Sequence, residues 1–333
     1  MIKAFVFGKF LPFHKGHEAL IRFALTQSDF LSVLVCCSDR EKLSDRVRKN
    51  WILGTFKDIE KIEVDSFNYS ECDLPNTSET SLEVSKVWAE ILKKFYPDFS
   101  LLITSEPYGE LVARFMRITH IAFDPQKVII PVSASMIGQD IFSNWNYLPD
   151  PVKRYLAIRV VIAGTESTGK TTLANRLALH YNCRLVSEAG RELIPDSKEF
   201  SFNDLHLVAN AHSESIYRAT SGDSPLVILD TDIHTTISYS KFAFNRKLNV
   251  SESVYEANRA DLYLYLNNDV SYFQDGTRLN EDDRNRLDHS HRLILKEHRI
   301  DLIEIRGDWE TRFARAIFEI DLLCQKRKRL QLR

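Results

Sequence analysis

No run of the chain approaches the ~18 consecutive apolar residues that a membrane-spanning helix needs. The opening segment, MIKAFVFGKF, is too short in apolar length for a secretory signal and has no small-residue cleavage site, so it is expected to go directly into a strand. Cysteine is scarce. The five present (Cys36, Cys37, Cys72, Cys183 and Cys324) are odd in number and form no C-x-x-C pair. That argues against a disulfide framework or a zinc site and suits a reducing cytoplasm. Cys36 and Cys37 close the apolar run LSVLVCC and read as small core residues. An excess of one charge is also missing. A net charge of −2 gives no global attraction to nucleic acid or to an anionic membrane. There is no internal repeat and no low-complexity tract. What remains is 44% hydrophobic and 27% charged, the balance of a soluble globular protein. At 333 residues the chain is long enough for two domains, each with its own core.

The most informative stretch is RVVIAGTESTGKTTL, Arg159 to Leu173. Val160 to Ala163 reads as a short buried strand, and Gly164-x-x-x-x-Gly169-Lys170-Thr171 meets the full P-loop pattern. Its glycines let the backbone of Gly164, Thr165, Glu166, Ser167, Thr168 and Gly169 fold back, so that several N–H groups face one phosphate chain. A helix starting near Lys170 adds its positive end and carries Thr172 in its first turn. Lys170 can reach the outer phosphates of ATP, and the Thr171 hydroxyl can take a Mg²⁺ ligand position. Leu173, Leu177 and Ala178 then keep helical spacing, as a strand–loop–helix unit requires.

Before this unit, apolar runs at Ile2–Phe7, Leu31–Cys36, Ile62–Phe67, Leu101–Ser105, Ile118–Ala122 and Val128–Val132 read as strands. Helical stretches lie between several of them, including a charged one expected over Arg40–Ile59. Alternating strands and helices predict an α/β architecture of two doubly wound parallel-sheet domains, residues 1–150 and 151–333. The segment Gly8-Lys9-Phe10-Leu11-Pro12-Phe13-His14-Lys15-Gly16-His17 follows the first strand. His14 and His17 could be a structural pair or metal ligands, but no carboxylate or cysteine nearby completes a metal set. At the carboxyl end of a parallel strand they are placed to donate to phosphate oxygens.

The stretch GKFLPFHKGH resembles the G-x-F-x-P-x-H-x-G-H element of the nucleotidyltransferase superfamily. Together with the later P-loop it resembles the NadR-type bifunctional enzymes, a nicotinamide-nucleotide adenylyltransferase joined to a ribosylnicotinamide kinase. Thr104-Ser105-Glu106-Pro107-Tyr108-Gly109, Phe123-Asp124-Pro125, and Trp145, Tyr147 and Pro149 add local matches. The resemblance implies that His14 and His17 contact ATP phosphates during adenylyl transfer, with Gly8, Lys9 and Phe10 lining the nucleotide site. Two departures stand out. Some members carry an N-terminal helix-turn-helix module, whereas a strand begins here at Ile2, so no DNA-binding role is expected. The family's serine-led motif closes in Ile-Arg, whereas this chain has Ile137-Gly138. Adenylyl transfer is therefore expected to be weakened, with Lys9, Arg46 or Arg48 as substitute charges.

Asn144 to Arg154 holds two prolines and is expected to connect the domains. In the second half, Arg184–Glu188, Leu226–Leu229 and Asp301–Ile305 read as strands, and Asn203–Thr220 and Trp309–Cys324 as helices. Leu226-Val227-Ile228-Leu229-Asp230 delivers an acid to a strand end, where Asp230 can hold Mg²⁺, with Asp232 a second candidate. Glu188 and Arg191 could form a surface ion pair. The preferred reading is an acceptor site, in which Glu188 binds ribose hydroxyls or takes the proton. Asp275-Gly276-Thr277-Arg278, with Arg284 and Arg286 beyond it, reads as a lid whose guanidinium groups close on the phosphoryl group. The basic cluster Lys326–Arg329 reads as a solvated helix end.

The expectation is a cytoplasmic enzyme of pyridine-nucleotide salvage. It would use ATP and Mg²⁺, with nicotinamide riboside and nicotinamide mononucleotide as small-molecule substrates, and with no nucleic-acid or membrane partner. A homo-oligomer is left open. The alternatives are a nucleotide-sensing regulator with a non-catalytic transferase domain, and a kinase for another nucleoside.

Overall fold

The computed structural model describes residues 1–75, 81–194, 200–269 and 280–329. The chain divides into two compact units, Met1–Tyr155 together with the chain from Lys328 onward, and Leu156–Arg327. The expected boundary after residue 150 lies at the start of a helix, Asp150–Leu156. Among the described residues no helix is long and apolar enough to cross a membrane.

The first unit runs β1 (Lys3–Gly8), α1 (Lys15–Gln27), β2 (Phe30–Ser38), α2 (Asp45–Thr55), β3 (Ile62–Tyr69) and α3 (Leu82–Phe95). It continues with β4 (Leu101–Thr104), α4 (Tyr108–Met116), β5 (Thr119–Ala122), α5 (Ala134–Gln139), a 3₁₀ turn at Trp145–Tyr147 and α6 (Asp150–Leu156). The five strands are parallel, in the order β3-β2-β1-β4-β5. β1 and β2 are buried along nearly their whole length, which is why they read as unbroken apolar runs. Trp88 of α3 anchors one face of the sheet, with Phe7, Phe67 and Tyr69 around it at ring distances of 6.1, 6.2 and 5.3 Å. Its indole N–H donates to the Pro75 carbonyl at 2.9 Å, so the polar edge of a buried ring is satisfied.

Two expectations in this unit need correction. The charged helix is shorter than Arg40–Ile59, because Ser44 caps it by accepting from the Val47 N–H at 3.4 Å. Val128–Val132 is not a strand. The Asp124 carboxylate accepts from the N–H groups of Val128, Ile129 and Ile130 at 2.7, 3.1 and 3.2 Å, curling the chain away from any ladder. The stretch from Asn144 to Arg154 is largely helical, and Trp145 is buried there at 2% exposure.

The second unit runs β6 (Ile158–Ala163), α7 (Lys170–His180), β7 (Arg184–Val186), α8 (Ala189–Leu193), α9 (Phe202–Ala219) and β8 (Leu226–Asp230). It continues with α10 (Ile233–Phe244), α11 (Glu252–Asn258), β9 (Leu262–Leu266), α12 (Glu281–Glu297), β10 (Ile303–Ile305) and α13 (Trp309–Arg327). Its parallel sheet has the order β10-β9-β6-β8-β7. β9, LYLYL, was not anticipated, although it is an apolar and aromatic run beside the first strand of the unit.

One buried charge organises the open end of this sheet. Arg312 of α13 is fully buried, and it donates to the carbonyls of Thr168, Gly307 and Asn267 at 2.9, 2.8 and 3.1 Å. It also pairs with Asp269. Trp309, one turn earlier, lies against Gly169, where an added Cβ would come within 1.9 Å of the indole. Gly169 also has a φ of 88°, which disfavours any side chain there. Because three carbonyls lose a charged donor together, Arg312→Met is expected to destabilise the second unit by at least about 3 kcal/mol. Chemical denaturation followed on that unit checks this, and a loss below about 1 kcal/mol would show that water replaces the guanidinium.

Candidate functional sites

Each sheet reverses its strand order at its first strand, and a crevice opens at the carboxyl ends there. In the second unit the crevice holds the Gly164–Thr171 loop. Gly164 has a φ of 137°, and a Cβ on it would lie 2.7 Å from the Leu266 carbonyl. The loop is braced from inside by Thr168, whose hydroxyl donates to the Thr165 carbonyl at 2.7 Å. Lys170 folds over the same loop, and its ammonium donates to the Thr165 carbonyl at 2.9 Å. Thr172 is exposed on the first turn of α7.

Thr171 donates its hydroxyl to Asp230 Oδ2 at 2.6 Å, which joins the P-loop helix to the end of β8. Asp230 is 1% exposed, and its Oδ1 is buried with no protein hydrogen-bond partner. A hydroxyl and an orphaned carboxylate oxygen are hard ligands of the kind Mg²⁺ prefers. Among the described residues no cluster of three His, Cys, Asp or Glu could hold a metal unaided, so an ion here would take its other ligands from phosphate and water. Asp232, the second candidate, is committed elsewhere. It accepts from the backbone N–H groups of His234 and Thr235, from the Tyr263 hydroxyl at 2.7 Å and from the His234 ring at 2.5 Å. Burial would raise its carboxyl, but His234 and these donors hold it below its ordinary value.

Beside the loop lies a cavity of about 340 Å³, with Lys170, Glu188, Arg191 and Thr231 on its wall. Glu188 precedes α8 and accepts from the Arg191 guanidinium at 3.1 Å, so the two residues expected at an acceptor site do meet there. Glu166 faces the same cavity and accepts from the Tyr239 hydroxyl at 3.0 Å. Phe200, Leu205 and Val208 give this cavity an apolar wall. His291 also lines it, with burial and then the Lys170 charge pulling its pKa down to about 3. Arg278 lies outside the described residues. Arg284 is 2% exposed in α12 and donates to the Asn268 carbonyl at 3.3 Å, while Arg286, two residues on, is exposed and pairs with Asp283 at 2.9 Å.

In the first unit a cavity of about 500 Å³ opens at the ends of β1 and β4. His14 caps α1, its Nδ1 accepting the His17 N–H at 3.3 Å, so the neutral ring carries its proton on Nε2 as a donor. The two imidazoles stack at 3.7 Å and 18°, with Phe10 against the edge of His17 at 5.0 Å. Gly16 leaves little room beside this stack, since a Cβ there would lie 3.0 Å from the His14 ring. Burial, then the Lys127 charge, lowers the His14 pKa to about 3. Burial, followed by the His14 and Lys127 charges, puts His17 well below its ordinary value. Two neutral rings result. Lys9 lines the cavity beside Gly8 but reaches Glu41 at 2.9 Å. Arg48 is wholly buried on Glu41 at 2.7 Å and on the carbonyls of Leu43 and Lys9, so it is structural rather than a substitute phosphate ligand. Gly138 borders the cavity within α5 instead of at a free turn.

Sequence reading missed Arg312, Tyr239 and His291. Each sits on a helix far along the chain from the loop it serves, and spacing carries no trace of such contacts.

Residues 4–74 match a family model described as the citrate lyase ligase C-terminal domain, and residues 159–312 one described as an AAA domain. The chain is 28% identical, over 342 aligned residues, to the trifunctional NAD biosynthesis/regulator protein NadR of Escherichia coli (strain K12). That alignment covers 94% of this chain and 81% of the relative. A solved NadR protein in complex with NR is similar with a TM-score of 0.68 and 22% identity, over 99% of this chain and 97% of that one. A second, in complex with NAD and AMP-PNP, gives 0.65 and 22%, over 96% and 95%. The resemblance to NadR-type proteins therefore extends over nearly the whole chain, and the fold is shared with them.

The buried histidines predict an acid-sensitive fold. The His14 pKa falls from 6.5 to about 3 on folding, so below pH 6.5 the unfolded chain takes up the proton first. Stability is full above that pH and declines as pH drops toward 3, by about 1.4 kcal/mol per pH unit for each such ring. His14→Asn keeps a capping side chain and should flatten the decline between pH 6.5 and 5, read from denaturant midpoints of the first unit. An unchanged slope would mean that the ring is charged when folded.

Proposed function

We propose that this chain, similar to NadR-type proteins over 94% of its length, is a pyridine-nucleotide salvage enzyme with two phosphate-transfer sites. The second unit transfers the terminal phosphoryl group of ATP to the 5′-hydroxyl of nicotinamide riboside. The first joins the resulting mononucleotide to the adenylyl group of ATP, giving NAD and pyrophosphate. The observation that supports the kinase reading is that Lys170 lines one cavity with Glu188 and Arg191, while its neighbour Thr171 hydrogen-bonds Asp230.

In that cavity the P-loop N–H groups and Lys170 bind the phosphate chain. Thr171 and Asp230 would hold Mg²⁺, which neutralises charge on the outer phosphates when bound. Glu188, positioned by Arg191, accepts the proton of the attacking hydroxyl. The apolar wall at Phe200, Leu205 and Val208 suits a flat base and excludes water from it. In the first unit, the phosphate of the mononucleotide attacks the α-phosphorus of ATP and pyrophosphate leaves. His14 and His17, being neutral, donate hydrogen bonds to phosphate oxygens without exchanging protons with them. Positioning and charge neutralisation supply most of the acceleration in both reactions.

Lys170→Ala is expected to abolish riboside phosphorylation in a folded protein while NAD formation from the mononucleotide persists. Full kinase turnover in that variant would sink the assignment. Glu188→Gln should lower kcat far more than ATP affinity, since the carboxylate acts in the transition state. Equal losses would place Glu188 with the metal. At Gly138, one missing hydrogen bond to a charged group should leave adenylyl transfer about ten- to a hundred-fold slower than the site could support. Gly138→Arg is therefore expected to speed NAD formation, assayed with the mononucleotide and ATP, and a slower variant would show that the phosphates are held without it.

A further inference from the structure

The transferase cavity must hold a polyphosphate, yet its surroundings offer little free positive charge. His14 and His17 are neutral stacked rings. Lys9 stands between two carboxylates, Glu41 at 2.9 Å and Glu71 at 3.9 Å. Glu41 is itself held ionised, because Lys9 and Arg48 outweigh the effect of its burial. Arg48 is sealed inside, and Gly138 has no side chain. Among the described residues that line the cavity, the remaining lysine or arginine is Lys127.

Lys127 is held differently. Among the described residues its ammonium pairs with Glu106, at 3.4 Å, and the two side chains are 42% and 51% exposed. An ion pair so open to water is weak and easily exchanged for a better anion. The backbone beneath it is fixed. The Lys127 N–H donates to the Asp124 carbonyl at 2.9 Å, its φ is 53°, and the Asp124 carboxylate holds the next three N–H groups. The loop thus presents a tethered ammonium on a rigid base.

We propose that Lys127 is the polyphosphate-binding cation of the transferase site, and that it exchanges Glu106 for the phosphates of ATP when the nucleotide enters. The charge of Lys127 is already felt at both histidines, opposing their protonation, which places it within electrostatic reach of the phosphate-binding pair. Glu106 then acts as a placeholder. It keeps the cation in position over the cavity and competes with the anion for it.

This inference rests on the adenylyltransferase reading, and the test separates the two. In the full chain, Lys127→Met should raise the KM for ATP in NAD formation about ten-fold or more, the loss expected for one charged contact. The KM for the mononucleotide and riboside phosphorylation should not change. Lys127→Arg should keep most of the affinity, and Glu106→Gln should lower the KM for ATP by freeing the ammonium. An unaltered KM for ATP in Lys127→Met overturns the proposal. If the natural protein forms no NAD, the adenylyltransferase reading fails, and calorimetry with inorganic tripolyphosphate decides the role of Lys127. With the P-loop site disabled by Lys170→Ala, adding Lys127→Met should weaken tripolyphosphate binding about ten-fold, and equal binding overturns the proposal.

Discussion

A parallel sheet whose strand order reverses at its first strand leaves a crevice at the carboxyl ends that crossover helices cannot close. Both sites of this chain follow from that constraint, applied twice. β1 lies between β2 and β4, and β6 between β8 and β9. In each case the loop leaving the first strand of the unit enters the crevice and continues into a helix whose N-terminus faces it. The apolar interiors of the strands, such as Val160 to Ala163, set the depth of the sheet. The chemistry is then confined to the few residues past each strand end, where the backbone N–H groups are no longer spent on a ladder.

The two crevices treat charge in opposite ways. The P-loop site keeps a charged lysine over a carbonyl and a carboxylate beneath a hydroxyl, so that positive and negative groups stand ready for a phosphate chain and its counter-ion. The transferase site neutralises what lies inside it. Its imidazoles are uncharged because they are buried and stacked 3.7 Å apart, and Lys9 is matched by Glu41. Net attraction for an anion must then come from the rim, where Lys127 is only loosely held.

The parts of this architecture legible in the sequence were those encoded over short distances. Unbroken apolar runs gave away most of the strands, and the glycine spacing of Gly164–Thr171 and Gly8–His17 marked the two loops that enter the crevices. Val128–Val132 misled for a physical reason. Its composition suits a strand, but the single carboxylate of Asp124 takes three of its N–H groups, and hydrogen bonding outranks β-propensity in a short segment. Arg312 was invisible because its meaning lies in carbonyls 144 and 45 residues away in the chain. Asp232 shows the converse failure. Its position two residues after Asp230 matches a metal ligand, but folding commits it to a helix cap, Tyr263 and His234.

Some of the buried polar atoms without a hydrogen-bond partner lie at the same two places, although others, among them Trp51 Nε1 and Ser85 Oγ, line neither cavity. Asp230 Oδ1, Thr165 Oγ and His291 Nδ1 belong to the P-loop crevice or its wall, and His17 Nδ1 belongs to the transferase crevice. Each represents a desolvation cost of about 1–3 kcal/mol that packing alone does not recover. Arg312 shows that the chain can satisfy a buried charge completely when it serves the scaffold, with three carbonyls and a carboxylate around one guanidinium. The orphaned groups that line the two cavities, by contrast, are left open to a polar ligand. The stability they forgo in the free protein is recovered when a ligand binds, so that binding energy and folding energy are linked at both crevices.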